Sequence, residues 1–115
     1  MNSVTRLAAA ATASLLALTA CGSPSPAEGD GPTIVTAFYP LQWATEAVLG
    51  DTPATVDTLT TPGAEAHDLE LTPQQIASLG TADLVVYMTE FQPAVDKAIE
   101  QSGAAAVLDA ATAVD

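Results

Sequence analysis

"LTPQQIASLGTADLVVYM", Leu71 to Met88, carries two adjacent signals that together decide the architecture. Thr72-Pro73-Gln74-Gln75 places a threonine at an N-cap, a proline at N1 and a glutamine at N3. The hydroxyl and the amide can then satisfy each other's orphaned backbone N–H groups, which is a capping box. A helix is expected from Pro73, with Ile76 and Leu79 as its apolar face and Gly80 as its end. "ADLVVYM", Ala82 to Met88, follows almost at once as a near-continuous apolar run. Such a run is expected of a strand covered on both faces, and hence of a central one.

Upstream, "TIVTAF" (Thr33 to Phe38) is short, β-branched and bounded by Pro32 and Pro40, and reads as a strand. Pro40 suits the first turn of a helix whose Leu41, Ala44 and Val48 fall at i, i+3 and i+7, and Gly50 suits the residue just past its end. "ATVDTLT" (Ala54 to Thr60) is a second, less regular strand. Downstream, Pro93 opens a helix with Val95, Ala98 and Ile99 on one face and Gly103 as its stop, and "AAAVLDA" is read as a fourth strand. Strands alternating with short helices in the order βαβαβαβ imply an α/β fold with a parallel sheet and right-handed crossovers. No internal repeat interrupts it, and 115 residues suffice for a single domain.

In such sheets ligands bind beyond the carboxyl ends of the strands, in the loops that lead into helices. One of those loops is "PGAEAHDLELTP", Pro62 to Pro73, which holds the chain's single histidine, His67, among Glu65, Asp68 and Glu70. The turns Phe38 to Pro40 and Thr89 to Pro93, with Tyr39, Glu90 and Phe91, should open on the same edge. Zinc sites use neutral imidazole, thiolate and carboxylate, usually four ligands. His67 with Asp68 or Glu70 could supply part of such a site but not the whole, because adjacent side chains of an extended segment point apart. The other reading is an exposed histidine among solvating acids. Catalysis finds little support: no G-x-S-x-G elbow appears, Ser78 falls within a helix, and no G-x-G-x-x-G or Walker loop follows the first strand. No catalytic residue or catalytic cofactor is expected.

Fourteen acidic residues against Arg6 and Lys97 give a formal charge of -12, which opposes nucleic acid as a partner. Hydrophobic residues are 49% of the chain but aromatics only 4%, so alanine dominates and the core should be thin. Residues 1–20 have the order of a signal peptide: a polar start with Arg6, an apolar stretch from Leu7 to Leu18, then small residues. The apolar stretch is shorter than a membrane span and broken by Thr12 and Ser14. Leu18-Thr19-Ala20-Cys21 is similar to the lipobox of bacterial lipoproteins, in which the cysteine is acylated and becomes the new N-terminus. Residues 21–32, rich in Gly, Pro and Ser, read as a tether between that anchor and a lobe spanning residues 33–115.

"TIVTAFYPLQWATEAVLGD", "TPGAEAHDLELTPQQIASLGTADLVVYM" and "EFQPAVDKAIEQ" closely resemble the N-terminal lobe of bacterial solute-binding protein family 9, the zinc- and manganese-binding lipoproteins of ABC metal importers. The resemblance runs from about Ile34 to about Asp109 and is most specific in the His67 block. It implies a two-lobed monomer, anchored on the outer face of the cell membrane by lipid on Cys21, which captures Zn2+ or Mn2+ and hands it to a membrane permease. It also implies that His67 is the first metal ligand, the others being two further histidines and an Asp or Glu from later in such chains. No second histidine follows here, so the sequence is read as the N-terminal part of such a protein, or a truncated copy, that binds metal weakly by itself. A lipid-anchored interaction protein that uses the same lobe without metal is the alternative.

Overall fold

A computed structural model of the chain describes residues 31–113. The leader, Cys21 and nearly all of the tether lie outside the described residues. Four strands alternate with three helices: β1 (Thr33–Thr36), α1 (Tyr39–Leu49), β2 (Thr55–Thr58), α2 (Pro73–Thr81), β3 (Leu84–Tyr87), α3 (Pro93–Ser102) and β4 (Val107–Asp109), followed by a 3-10 turn, Ala110–Ala113. The strands form one sheet in the order β2-β1-β3-β4, and every pairing is parallel. The α/β architecture read from the sequence is the one found.

Chain order and strand order together place the helices. The β1-to-β2 crossover runs one way across the sheet and the next two run the other way. With right-handed connections α1 lies on one face, α2 and α3 on the opposite one. Accordingly α2 packs against α3, and α1 against β1 and β2. Side chains alternate along each strand, so the two faces receive different sets. Val35 and Val85 join Leu79 of α2 and Val95 of α3 in the best buried part of the core, each at most 1% exposed. Ile34, Leu84, Val86 and Leu108 turn instead toward α1, where with Leu41, Ala44, Val48 and Leu49 they line an open apolar trough of about 320 Å³.

That asymmetry corrects two expectations. The Leu41, Ala44, Val48 stripe exists on α1, but only Leu41 is buried and Val48 is 88% exposed. Among the described residues the β3–β4 half of this face carries no helix, only Ala110 and Ala113 of the 3-10 turn at the trough's wall, so the stripe overlooks the trough. For the same reason β3 is central, as its apolar run implies, yet Leu84 at its start is only half-buried.

The capping box forms as expected. Thr72 Oγ1 accepts from Gln75 N at 3.3 Å and Gln75 Oε1 accepts from Thr72 N at 2.9 Å. The Gln75 amide also donates through Nε2 to Leu59 O, at 2.7 Å, so the residue that starts α2 also ties it to the end of β2. Thr72→Ala is expected to cost about 1 kcal/mol by removing the cap, measured as a lowered urea midpoint. An unchanged midpoint would mean the cap contributes nothing to stability. Two details of α2 differ from expectation. Ile76 is 41% exposed, leaving Leu79 as the buried anchor, and Gly80 lies inside the helix, which runs on to Thr81. The glycine is needed for packing: a Cβ there would sit 2.9 Å from Ser102 O at the end of α3. Gly103, by contrast, ends α3 in the left-handed conformation (φ 67°) that glycine adopts without strain.

Candidate metal-binding site

Strand order reverses between β1 and β3, so the crevice at their carboxyl ends is the switch point where a ligand is expected in this kind of sheet. Three segments meet there. Ala37 and Phe38 leave β1, Met88 to Gln92 leave β3, and the long connection from Leu59 to Thr72 leaves β2. Fourteen residues without regular structure would ordinarily wander. This connection is pinned at both ends. Leu59 N donates to Thr36 O at 2.9 Å, Thr60 Oγ1 donates to Ala37 O at 2.8 Å, and the Gln75 amide holds Leu59 O from the other end. Within it Ala66, Leu69 and Leu71 are half-buried against the core, which leaves His67 on the outer side.

His67 is exposed but not loose. Its ring lies on Phe91, with centroids 4.3 Å apart at 52°, and Phe91 in turn lies on Phe38, 4.6 Å away. One aromatic residue from the end of β1 and one from the loop after β3 thus form a platform for the imidazole. The Nδ1 atom is 3.1 Å from Phe91 O. A carbonyl oxygen can only accept, so in the neutral ring Nδ1 carries the proton and Nε2 the lone pair. A metal-ligating histidine is commonly oriented in this way, by a carbonyl or carboxylate on the nitrogen that does not bind.

The neighbouring acids do less. Glu65 Oε1 accepts a long 3.4 Å bond from His67 N and so braces the loop, while Asp68 and Glu70 are exposed. Among the described residues no three His, Cys, Asp or Glu side chains converge as metal ligands. A single imidazole is what this edge offers. Beside it lies an open basin of about 540 Å³ whose walls, including Phe38, Tyr39, Pro40, Pro62 and Phe91, are largely apolar.

Tyr39, Glu90 and Phe91 stand at the edge where the sequence puts them. Glu90 adopts φ 62°, a left-handed conformation costing about 1 kcal/mol for a residue with a Cβ, and its N–H is held by Asp96 Oδ2 at 3.0 Å. Sequence reasoning missed Thr60 and Gln92, polar residues buried behind the His67 loop. The available signal was a glutamine directly before Pro93, at an N-cap, where glutamine is not a favoured residue; its side chain makes no capping bond and turns inward.

Residues 34–115 match the family described as zinc-uptake complex component A, periplasmic. The high-affinity zinc uptake system protein ZnuA of Bacillus subtilis is 35% identical over 112 residues, covering 90% of this chain and 34% of that protein. Among solved structures, the metal-dependent lipoprotein YcdH of Bacillus subtilis superposes with a TM-score of 0.65 at 34% identity, covering 73% of this chain and 32% of that one. Zn(II)-bound AdcA of Streptococcus pneumoniae superposes with a TM-score of 0.62 at 32% identity, covering 70% of this chain and 18% of that one. The chain therefore spans about a third or less of the length of these relatives.

Proposed function

The chain belongs to the zinc-uptake complex component A family, and from that premise we propose that it is the metal-capturing N-terminal lobe of a solute-binding lipoprotein serving an ABC importer. Zn2+ is the cargo, taken up outside the membrane with His67 as one ligand and passed to a membrane permease. The carrying observation is the imidazole fixed at the switch crevice, with Nδ1 engaged by Phe91 O and Nε2 outside that bond. Zinc in the names of both the Bacillus subtilis protein and the Streptococcus pneumoniae structure supports Zn2+ over Mn2+. The remaining positions of a tetrahedral site would come from outside residues 31–113.

Capture of this kind needs no covalent chemistry from the chain. It needs a neutral imidazole, a rigid mount and an electrostatic field that attracts cations, which the excess of acidic residues supplies diffusely. Calorimetric titration of the 115-residue chain with Zn2+ tests the reading. Binding should be weak, suppressed by salt and lost in His67→Ala. Heat of binding indifferent to that substitution would sink it.

The same reading covers the leader. Residues 1–20 are a lipoprotein signal peptide, Cys21 is the acylated residue, and residues 21–32 tether the lobe of residues 33–115. The relative described as a metal-dependent lipoprotein supports this. Cys21→Ala removes the only thiol of the chain and should move the protein from the membrane fraction to the soluble exported fraction. Retention in the membrane at the parental level would refute the anchor.

A further inference from the structure

We propose that Gln92 is a positioning residue for His67, fixing the orientation and tautomer in which the imidazole meets a metal; the metal part rests on the reading of His67 as a ligand. Gln92 is 2% exposed. Its Nε2 donates to Ala66 O at 2.7 Å and to Thr60 Oγ1 at 3.0 Å, and Thr60 Oγ1 gives its own proton to Ala37 O at 2.8 Å. This buried polar chain joins all three segments of the crevice: the exit of β1, the His67 connection and the loop before α3.

Its direction is forced. Ala37 O and Ala66 O can only accept, so the threonine proton must go to Ala37 and both amide protons of Gln92 must go to Thr60 and Ala66. The amide cannot be turned over, because Oε1 would then face Ala66 O. Gln92 Oε1 is left facing away from both of these bonds, with no hydrogen-bond partner among the described residues. What the amide accomplishes lies on its nitrogen side. Ala66 O belongs to the peptide bond that leads into His67, so gripping it sets the plane from which the histidine backbone departs. The neighbouring Phe91 supplies the carbonyl that holds Nδ1 and the ring on which the imidazole lies. Two consecutive residues, Phe91 and Gln92, thus hold the histidine by its ring and by its backbone.

If that grip matters, removing it should loosen the ring before any metal is added. His67 is the only histidine of the chain, so its ring nitrogens give an unambiguous 15N spectrum. In its neutral form the ring of the parent chain should show Nδ1 protonated and Nε2 unprotonated. Gln92→Leu keeps the volume and removes both donors. Its ring shifts should move toward averaged tautomers, and the midpoint of a Zn2+ titration followed on the same signals should rise about 10-fold or more, the range typical of losing an outer-shell partner. Gln92→Met serves in the same test if Gln92→Leu does not retain parental amide dispersion. Unchanged ring shifts and an unchanged Zn2+ midpoint in a folded variant would overturn the proposal. Altered ring shifts in a chain whose His67 signals never respond to Zn2+ would support the positioning and overturn the ligand reading instead, so the two can fail separately.

Discussion

Replacing the matching third of the Bacillus subtilis relative with residues 31–113 of this chain is expected to give a chimera that binds Zn2+ tightly, and His67→Ala in that chimera should weaken binding at least about 100-fold. The estimate follows from coordination. Loss of an outer-shell partner already costs about 10- to 100-fold, whereas His67→Ala would open one of about four inner positions and admit water. By itself the chain presents one imidazole and no converging set of ligands among its described residues, so an ion held there keeps most of its hydration. Titration of the chimera, with the 115-residue chain beside it, separates the possibilities. A chimera indifferent to His67→Ala would return the Pro62 to Pro73 stretch to the status of a solvated turn. Tight stoichiometric binding by the short chain would refute the idea that its site is incomplete.

Leu79→Ala should be the most damaging single truncation in the lobe. The side chain is 0% exposed at the junction of α2, α3 and the sheet, and deleting a buried leucine to alanine costs about 2–5 kcal/mol as lost transfer energy plus a cavity. A small domain has about 5 kcal/mol or a little more in total, so much of the population should unfold without denaturant. Urea or thermal melts by circular dichroism measure this. Val48→Ala is the matched contrast: 88% exposed over the open trough, it should shift stability by no more than about 0.5 kcal/mol. Equal losses at the two positions would show that the trough is covered in solution and that the α1 stripe is part of a closed core.

The fold was legible because its signals are local. A capping box at Thr72, prolines at the first turns of all three helices and a glycine after α1 and α3 act within a few residues of themselves. The apolar run of β3 reports its central place directly. Gly80 misled for the opposite reason. It reads as a stop from its neighbours in sequence, whereas its cause is the backbone of Ser102, twenty-two residues away in sequence and in contact only once the sheet has brought α2 and α3 together.

The candidate site divides in the same way. That His67 lies in a loop at the carboxyl edge, beside Phe91 and the exit of β1, follows from the alternation of strands and helices plus the rule for where such sheets bind ligands. Which nitrogen keeps its lone pair, and what holds the ring, do not follow. They depend on Phe91 O and on a buried amide, contacts that span twenty-four residues for His67 to Phe91 and twenty-six for Gln92 to Ala66. The identity of the residues determined the elements, their order and the one imidazole available. Only the tertiary structure decided that α1 would cover half of its face and that Gln92 would turn inward, because both depend on how strands distant in sequence are stacked side by side, and no local propensity encodes that distance.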